Sequence, residues 1–294
     1  MAAQPFDPVA LLVEHRLLAY EDMQVYALRG GYLNQVFRVT GYGVDWVVKR
    51  FMPETELALF PNLPADEAEA MKRVAALGLA PKVIAFLGQL EAPVLVYEFY
   101  EGAMWREGVA PVARLIRRLR SVDAAGFREV ANTPAALLAE GDAYLPKLSP
   151  EMRMHLAAVR PTPVEIEPVS RSFLHTDIGP GNIIVGGDGA LKVIDWQCPA
   201  AGDPVEDLVV FLSPAFQILY ARKPLGEGEV AEFFDAYDDP AMQDRYGRMR
   251  RFYDWRMAGY CAMRKDKYEI TRPDVAYRYD RATAALLSRL EQAP

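Results

Sequence analysis

The sequence contains few cysteines, no long apolar run and no excess of positive charge. Its 294 residues include only two cysteines, Cys198 and Cys261, too few for a disulfide framework or a cysteine-rich zinc site. No apolar run approaches the ~20 residues that a transmembrane helix needs. The net charge of −7 argues against nucleic acid as the main partner, because nucleic-acid-binding proteins usually present a basic face.

Residues 1–20 have neither a basic start nor a long apolar core, so they do not resemble a signal peptide. We therefore expect a cytoplasmic protein without a membrane or nucleic-acid partner, and nothing in the sequence indicates an obligate protein partner. Three catalytic signatures are also missing, namely Gly-x-x-x-x-Gly-Lys-Ser/Thr, Gly-x-Ser-x-Gly and His-Glu-x-x-His. Their absence argues against a P-loop nucleoside triphosphatase, an α/β-hydrolase and a zinc protease of the common kinds.

Secondary-structure signals divide the chain into a strand-rich and a helix-rich part. Residues 1–97 contain β-prone runs, including a hairpin signal within 25–39 around Gly30 and Gly31, and one helix pattern at 65–78. Residues 98–102 read as a short connection, and residues 103–294 are mainly helical. This order predicts an α+β protein with a small β-rich N-terminal lobe, a hinge and a larger helical lobe, and ligands favour the crevice between such lobes.

Three details of the helical part can be predicted from local patterns. The run 114-RLIRRLR-120 suits an amphipathic helix whose arginines face solvent. Asp203-Pro204 is expected to start a helix, with Glu206 completing a capping box. The aromatic stretch 252-FYDWRMAGY-260 favours a core position, although Trp255 with Tyr253 or Tyr260 could instead hold a cationic headgroup.

The segment 173-FLHTDIGPGNIIV-185 combines acidic and amide side chains with a glycine-rich bend. A strand, the turn 186-GGDG-189 and a second strand follow, which predicts a hairpin that brings Asn182 close to Asp195. Asp177 lies on the loop that enters this hairpin. Carboxylate and amide oxygens suit Mg²⁺, and the loop glycines are expected to leave room for phosphate near the backbone.

The pattern His-x-Asp-x-x-x-x-Asn, followed by a strand, a turn and Ile-Asp-Trp, resembles the aminoglycoside phosphotransferase and choline kinase family, relatives of protein kinases. The resemblance implies a bilobal protein-kinase-like fold and an ATP- and Mg²⁺-dependent enzyme that phosphorylates a hydroxyl of a small molecule. By the same resemblance, Asp177 is the catalytic base, and Asn182 and Asp195 are catalytic metal ligands. His175 would brace the loop, and Asp207 in 202-GDPVEDL-208 would anchor it.

The resemblance extends to the first lobe and implies the nucleotide-binding residues. Lys49 in 46-WVVK-49 matches the strand lysine that holds the α- and β-phosphates, and Val47 on the same face would lie over the adenine. Glu67 is the preferred ion-pair partner of this lysine, with Glu69 as the alternative. The run 95-LVYEFYEG-102 matches the hinge, where the backbone groups of Glu98 and Tyr100 would bind the adenine edge, and 30-GGYLNQVF-37 matches the flap over the phosphates.

Two departures from the family pattern leave the acceptor open. The family usually has glycine where Thr176 stands and often a basic residue or histidine where Gly179 stands. Aminoglycosides, choline, ethanolamine, thiamine, sugars and hydroxy-amino acids all stay possible. The region from residue 201 on mixes acids and bases nearly evenly, which favours a metabolic amino alcohol over a polycationic antibiotic. A nucleotide-binding pseudokinase is the main alternative. A protein kinase is less favoured because no Ala-Pro-Glu segment follows Asp195.

Overall fold

A computed structural model describes residues 6–19, 21–28, 33–53 and 59–292. The chain forms two compact units, one comprising Met1–Ala103 with Ile184–Cys198 and the other Met104–Ile183 with Pro199–Pro294. The predicted division at 98–102 assigned 184–198 to the helical lobe, whereas the contacts group this segment with the first unit. Two backbone bonds show why, since Val193 donates to the carbonyl of Leu79 at 2.7 Å and Leu63 donates to that of Gln197 at 2.8 Å.

The first unit is built on a five-stranded antiparallel sheet with the order β1-β2-β3-β5-β4. The β1–β2 pairing agrees with the hairpin predicted around Gly30 and Gly31, but residues 29–32, and with them that turn and part of the predicted flap 30–37, lie outside the described residues. The strands are β1 (Gln24–Ala27), β2 (Gln35–Gly41), β3 (Val44–Arg50), β4 (Val83–Leu87) and β5 (Val94–Glu98).

Two helices belong to the first unit. Helix α1 (Pro8–Glu14) starts at Asp7, whose carboxylate accepts backbone N–H bonds from Val9 and Ala10, and it buries Leu12 against the sheet. Helix α2 (Pro64–Ala75) has proline in its first turn, as helix N-termini favour, and its buried face carries Glu67 and Met71. A buried carboxylate needs a charged or hydrogen-bonding partner. We therefore expect α2 to form part of the candidate site.

Short strands accompany the segments at which the chain passes from one unit to the other. Strands β6 (Ala103–Met104), β8 (Ile183–Val185) and β9 (Leu191–Val193) form a three-stranded sheet in the order β6-β8-β9. Strand β7 (Ser172–Leu174) pairs with β10 (Ala200–Gly202) within the second unit. The predicted hairpin is therefore present as β8 and β9.

The second unit is mainly helical and has an aromatic core. Phe211, Phe233, Tyr237, Phe252 and Trp255 are among its largest fully buried side chains. The helices are α3 (Val109–Leu119), α4 (Pro134–Asp142), α5 (Pro150–Ala158), α6 (Val205–Leu212), α7 (Pro214–Leu219), α8 (Glu227–Tyr237), α9 (Pro240–Tyr268) and α10 (Pro273–Gln292).

The outcomes for the local predictions in the helical part differ. In α3 the arginines face solvent while Leu115, Ile116 and Leu119 are buried, and the aromatic stretch 252–260 lies in the core, so both predictions are confirmed. The predicted capping box at α6 is wrong. Asp203 caps the start of the helix as expected, since its Oδ1 accepts the N–H of Val205, but Glu206 binds Arg256 instead of completing the box.

The β-rich first unit and the mainly helical second unit confirm the predicted α+β fold class. Within the described part of the chain, no helix combines the length and the apolar character that crossing a membrane requires.

Candidate active site

In the first unit, a buried lysine on β3 is bound by two carboxylates. The Lys49 ammonium lies 2.9 Å and 2.7 Å from the two oxygens of Glu67 in the first turn of α2, and 2.5 Å from Oδ1 of Asp195 after β9. Glu69 points elsewhere and pairs with Arg73 one turn along the same helix at 2.8 Å. The structure thus brings Lys49, Glu67 and Asp195 together within one unit.

Burial and charge act in opposite directions on this cluster. Burial by itself lowers the pKa of Lys49, but the carboxylates of Asp195 and Glu67 outweigh it, and the net pKa is raised above its ordinary value. Burial raises the pKa of Glu67, while the Lys49 ammonium and the backbone N–H of Trp196 oppose that rise. The lysine is therefore a fixed positive charge, which suits a group that binds phosphate.

Asp195 adopts a conformation that few non-glycine residues do. Its φ is 61°, in the left-handed region that Asp and Asn tolerate better than most residues. The next residue, Trp196, is fully buried, and its indole Nε1 donates to the carbonyl of Val193 at 3.0 Å. Trp196 thereby holds the turn after β9, and its backbone N–H binds Glu67. The sequence analysis did not assign this role, although Trp196 is the tryptophan of the Ile-Asp-Trp pattern.

The other predicted nucleotide-binding residues lie on β3, β5 and the segment after β5. Val47 is buried and paired with Tyr97 across the sheet. The N–H of Glu98 donates to the carbonyl of Lys82 at 2.9 Å, so of its backbone groups the carbonyl is the candidate for binding adenine. The hydroxyl of Tyr100 donates to the carbonyl of Ala190 at 3.1 Å, which fixes its side chain and leaves its proposed role to its backbone.

Tyr97 is a buried neighbour of the lysine cluster that the sequence analysis did not select. Burial raises the pKa of its phenol well above the ordinary value, with Lys49 opposing and Glu67 and Asp195 adding to the rise, so it is a neutral hydroxyl near the three charged groups. Its signal in the sequence was its place in the strand-like run 95-LVYEFYEG-102, and its pairing with Val47 is visible only in the structure.

In the second unit, the loop 175–182 is fixed by a buried carboxylate. Asp207 on α6 accepts backbone N–H bonds from His175 at 3.0 Å and from Thr176 at 2.9 Å, one on each oxygen. Thr176 has a φ of 64°, which explains why glycine suits this position in the family it resembles. The two bonds to Asp207 hold the threonine in a backbone conformation that β-branched residues disfavour.

Asp177 and Asn182 meet across the same loop. The Asn182 amide nitrogen donates to the carbonyl of Asp177 at 2.8 Å and lies 3.4 Å from its carboxylate, which leaves the amide oxygen as the group able to bind a cation. The N–H of Asp177 donates to Nδ1 of His175 at 3.2 Å, so the histidine braces the loop. Asp177 itself is half-buried.

The glycines of this loop pack against an aromatic ring. A Cβ on Gly181 would overlap the ring of Tyr220, which follows α7, and a Cβ on Gly179 would press on the same ring and on Phe216. Tyr220 thus fills the side on which a Cβ would project, whereas the expected room for phosphate beside the loop backbone stays a prediction. Both glycines are small because Tyr220 fills the space, and the loop backbone lies directly on it.

The available ligands fit Mg²⁺ by their chemistry. Asn182 offers an amide oxygen, and Asp195 keeps a second carboxylate oxygen beyond the one that Lys49 binds. Mg²⁺ in phosphotransferases is usually held by one or two protein oxygens together with substrate phosphates. Asp195 belongs to the first unit while Asp177 and Asn182 belong to the second, so the expected approach of these three side chains stays a prediction.

Comparisons with known proteins place this chain among phosphotransferases. The model of the phosphotransferase enzyme family matches residues 25–252. No curated protein matches the chain.

Solved structures share the fold at low identity. The choline kinase of Streptococcus pneumoniae is 19% identical with a TM-score of 0.65, over 96% of this chain and 100% of that one. A spectinomycin phosphotransferase solved with ADP and spectinomycin is 13% identical with a TM-score of 0.64, over 98% and 100%. The Plasmodium vivax ethanolamine kinase is 14% identical with a TM-score of 0.63, over 93% and 84%. Because the family model covers most of the sequence, this chain belongs to the phosphotransferase enzyme family.

Proposed function

We propose that the protein transfers the γ-phosphoryl group of ATP to a hydroxyl of a small molecule, with Mg²⁺ as cofactor. The observation that carries this proposal is the buried ammonium of Lys49, bound by Glu67 and Asp195, all three within the residues 25–252 that the family model matches. The ADP, choline and ethanolamine named for the solved relatives support a nucleotide donor and a hydroxylated small-molecule acceptor.

Each residue has a defined role in this proposal. Lys49 orients the phosphates, and Glu67 keeps the ammonium in place. Asp177 accepts the proton of the acceptor hydroxyl as its oxygen bonds to the γ-phosphorus and the bond to ADP breaks. Asn182 and Asp195 would hold Mg²⁺, which supplies positive charge to the phosphates when bound.

The adenine would bind against Val47, with the carbonyl of Glu98 and the backbone of Tyr100 as hydrogen-bonding partners. Most of the acceleration in such reactions comes from positioning and electrostatic stabilisation. A backbone bound to buried elements suits this task, because the loop that carries Asp177 is fixed at both ends, by Asp207 and by the Asn182 amide.

Replacing Asp177 by Ala tests the proposed base. We expect kcat for transfer to fall by about 10²–10⁴, the usual contribution of a positioned general base. The matched control is Asp244→Asn, because Asp244 is an exposed carboxylate 3.9 Å from Arg248 on α9 and should leave the rate unchanged. Activity of Asp177→Ala within twofold of wild type would remove the assignment. Nucleotide binding without transfer to any acceptor of a broad panel would instead favour the pseudokinase alternative.

A further inference from the structure

Arg264 on α9 is a partly buried cation whose contacts are tyrosines. Its Nη2 donates to the hydroxyl of Tyr268 at 2.5 Å, and its guanidinium lies 4.9 Å from the ring centre of Tyr268 and 5.7 Å from that of Tyr260. It also donates a side-chain hydrogen bond to Tyr279 on α10. Among the described residues, no carboxylate forms an ion pair with Arg264.

The other buried arginines of α9 that the structure pairs are neutralised. Arg245 binds the carboxylate of Asp203, and Arg256 binds Glu206 at 2.7 Å. Acids near the end of α9 are occupied by other cations, since Lys265 pairs with Glu269 at 3.1 Å. Among the residues that the structure describes, the charge of Arg264 therefore meets no opposite charge, in a position where burial makes this costly.

The tyrosines around Arg264 do not supply that charge. Burial raises the pKa of Tyr260 and of Tyr279 well above the ordinary value, so both are neutral phenols at physiological pH. They can still donate hydrogen bonds. A cation surrounded by neutral donors is a suitable environment for an anionic group.

One electrostatic effect and one hydrogen bond within the second unit connect this environment to the loop of Asp177. Burial is the main cause of the raised pKa of Tyr260, but the Asp177 carboxylate is near enough to add to it. On α10, Arg278 reaches the carbonyl of Leu219 at 3.4 Å, and the next residue, Tyr220, packs on the loop glycines. Arg278 likewise forms no ion pair with a carboxylate in the described part of the chain.

We propose that Arg264, assisted by Arg278, binds an anionic group of the acceptor, a carboxylate or a phosphate ester, on the molecule whose hydroxyl Asp177 activates. Arginine suits this role because its planar guanidinium binds both groups through paired hydrogen bonds. This inference rests on the proposed function and narrows its acceptor class.

An acceptor with a cationic headgroup is disfavoured by the arginines that already lie over the aromatic rings. The aromatic faces that could have held one are occupied by the protein's own guanidiniums, with Arg160 over Trp255 at 5.2 Å and Arg264 over Tyr260 at 5.7 Å. A second cation at these rings would meet like charge. The inference therefore favours hydroxy acids, hydroxy-amino acids or phosphorylated alcohols as acceptors over the amino alcohol expected from the sequence.

Matched acceptors that differ in one charged group test the inference. Serine is compared with ethanolamine, and glycerate and glycerol 3-phosphate with glycerol, as acceptors for wild-type protein. We expect kcat/KM at least about 10-fold higher for the members that carry an anion, because hydrogen bonds to charged groups are worth this factor or more. A higher kcat/KM for glycerate than for glycerol 3-phosphate would indicate a carboxylate site, and the reverse order would indicate a phosphate site.

Variants locate the effect. Arg264→Gln should raise KM for the anionic acceptor by about 10- to 100-fold while KM for ATP stays unchanged. Arg248→Gln, which alters an exposed arginine of the same helix, should change neither value. Preference of the wild type for ethanolamine or glycerol, or an unchanged acceptor KM in Arg264→Gln, would overturn the inference while leaving the phosphotransferase proposal intact.

A binding measurement covers the case in which none of these acceptors is phosphorylated. Inorganic phosphate is titrated into the wild type and Arg264→Gln with ADP saturating, and the unfolding temperature is recorded. Stabilisation of the wild type that is lost in Arg264→Gln would support an anion site at Arg264. Equal stabilisation of both proteins, or none, would refute it. The outcome is independent of transfer, so failure of the inference and failure of the proposed function give different results.

Discussion

Replacing Glu67 by Gln would remove one of the two carboxylates that face the Lys49 ammonium. Lys49 is 3% exposed and Glu67 is fully buried, so water cannot replace the lost charge. Removing one partner of a buried ion pair typically costs about 3–5 kcal/mol of unfolding free energy. Because Asp195 stays 2.5 Å from the ammonium, we expect the low end of this range, about 3 kcal/mol.

Glu69→Gln is a matched control on the same helix. The Glu69 side chain is 47% exposed and pairs with Arg73 one turn away, an arrangement that is worth about 0.3–0.5 kcal/mol. The two variants make the same chemical change two residues apart. The expected difference of about 2.5 kcal/mol corresponds to roughly a 60- to 70-fold change in the unfolding equilibrium.

Urea unfolding followed by far-UV circular dichroism measures this difference, with the free energy taken from the midpoint and the slope m. Unchanged m values would show that the variants alter stability rather than the surface exposed on unfolding. If Glu67→Gln and Glu69→Gln were destabilised equally, the buried contact between Lys49 and Glu67 would not exist in solution. Phosphoryl transfer should also fall more in Glu67→Gln, because the lysine loses a positioning partner.

Two further predictions concern the loop in the second unit. Burial raises the pKa of Asp207 from 3.8 to about 7, although two backbone N–H donors oppose the rise. Between these two pH values the folded protein therefore binds more protons than the unfolded chain. The contribution of Asp207 to the free energy of unfolding should fall by on the order of 4 kcal/mol as pH rises from 4 to 7. Urea unfolding of wild type and Asp207→Asn across this range checks it, and parallel pH curves would contradict it. Gly181→Ala should lower the free energy of unfolding by about 1–3 kcal/mol and slow phosphoryl transfer, because the new methyl group overlaps the Tyr220 ring. Gly187→Ala is the control, because its methyl group meets open space. Equal unfolding midpoints of the two variants would show that the Tyr220 ring moves aside without cost.

The candidate residues could be selected from the sequence because their spacing follows local geometry. A hairpin and the loop that enters it require a characteristic sequence spacing, which Asp177, Asn182 and Asp195 show. Strand alternation places Val47 and Lys49 on one face. The fold class followed in the same way from the order of strand and helix patterns. These features depend on neighbours within a few residues, so they can be recognised without tertiary contacts.

Contacts between distant segments were decided only by the tertiary structure. The sequence left Glu67 and Glu69 open because helix registers differ by small rotations, and packing of α2 on the sheet directs Glu67 to the lysine. It could not show that Tyr220 fills the space above Gly181. The capping box at Glu206 failed for this reason, since a distant arginine outweighed a local cap.

The sequence by itself determined the order of elements, the family pattern and the residue types available for phosphoryl transfer. Only the tertiary structure decided which charges are neutralised, because ion pairs such as Arg256 with Glu206 join residues far apart in the chain. The same structure left Arg264 among tyrosines without a carboxylate in the described part of the chain. Charge compensation depends on distance and burial, and neither can be read from residue order.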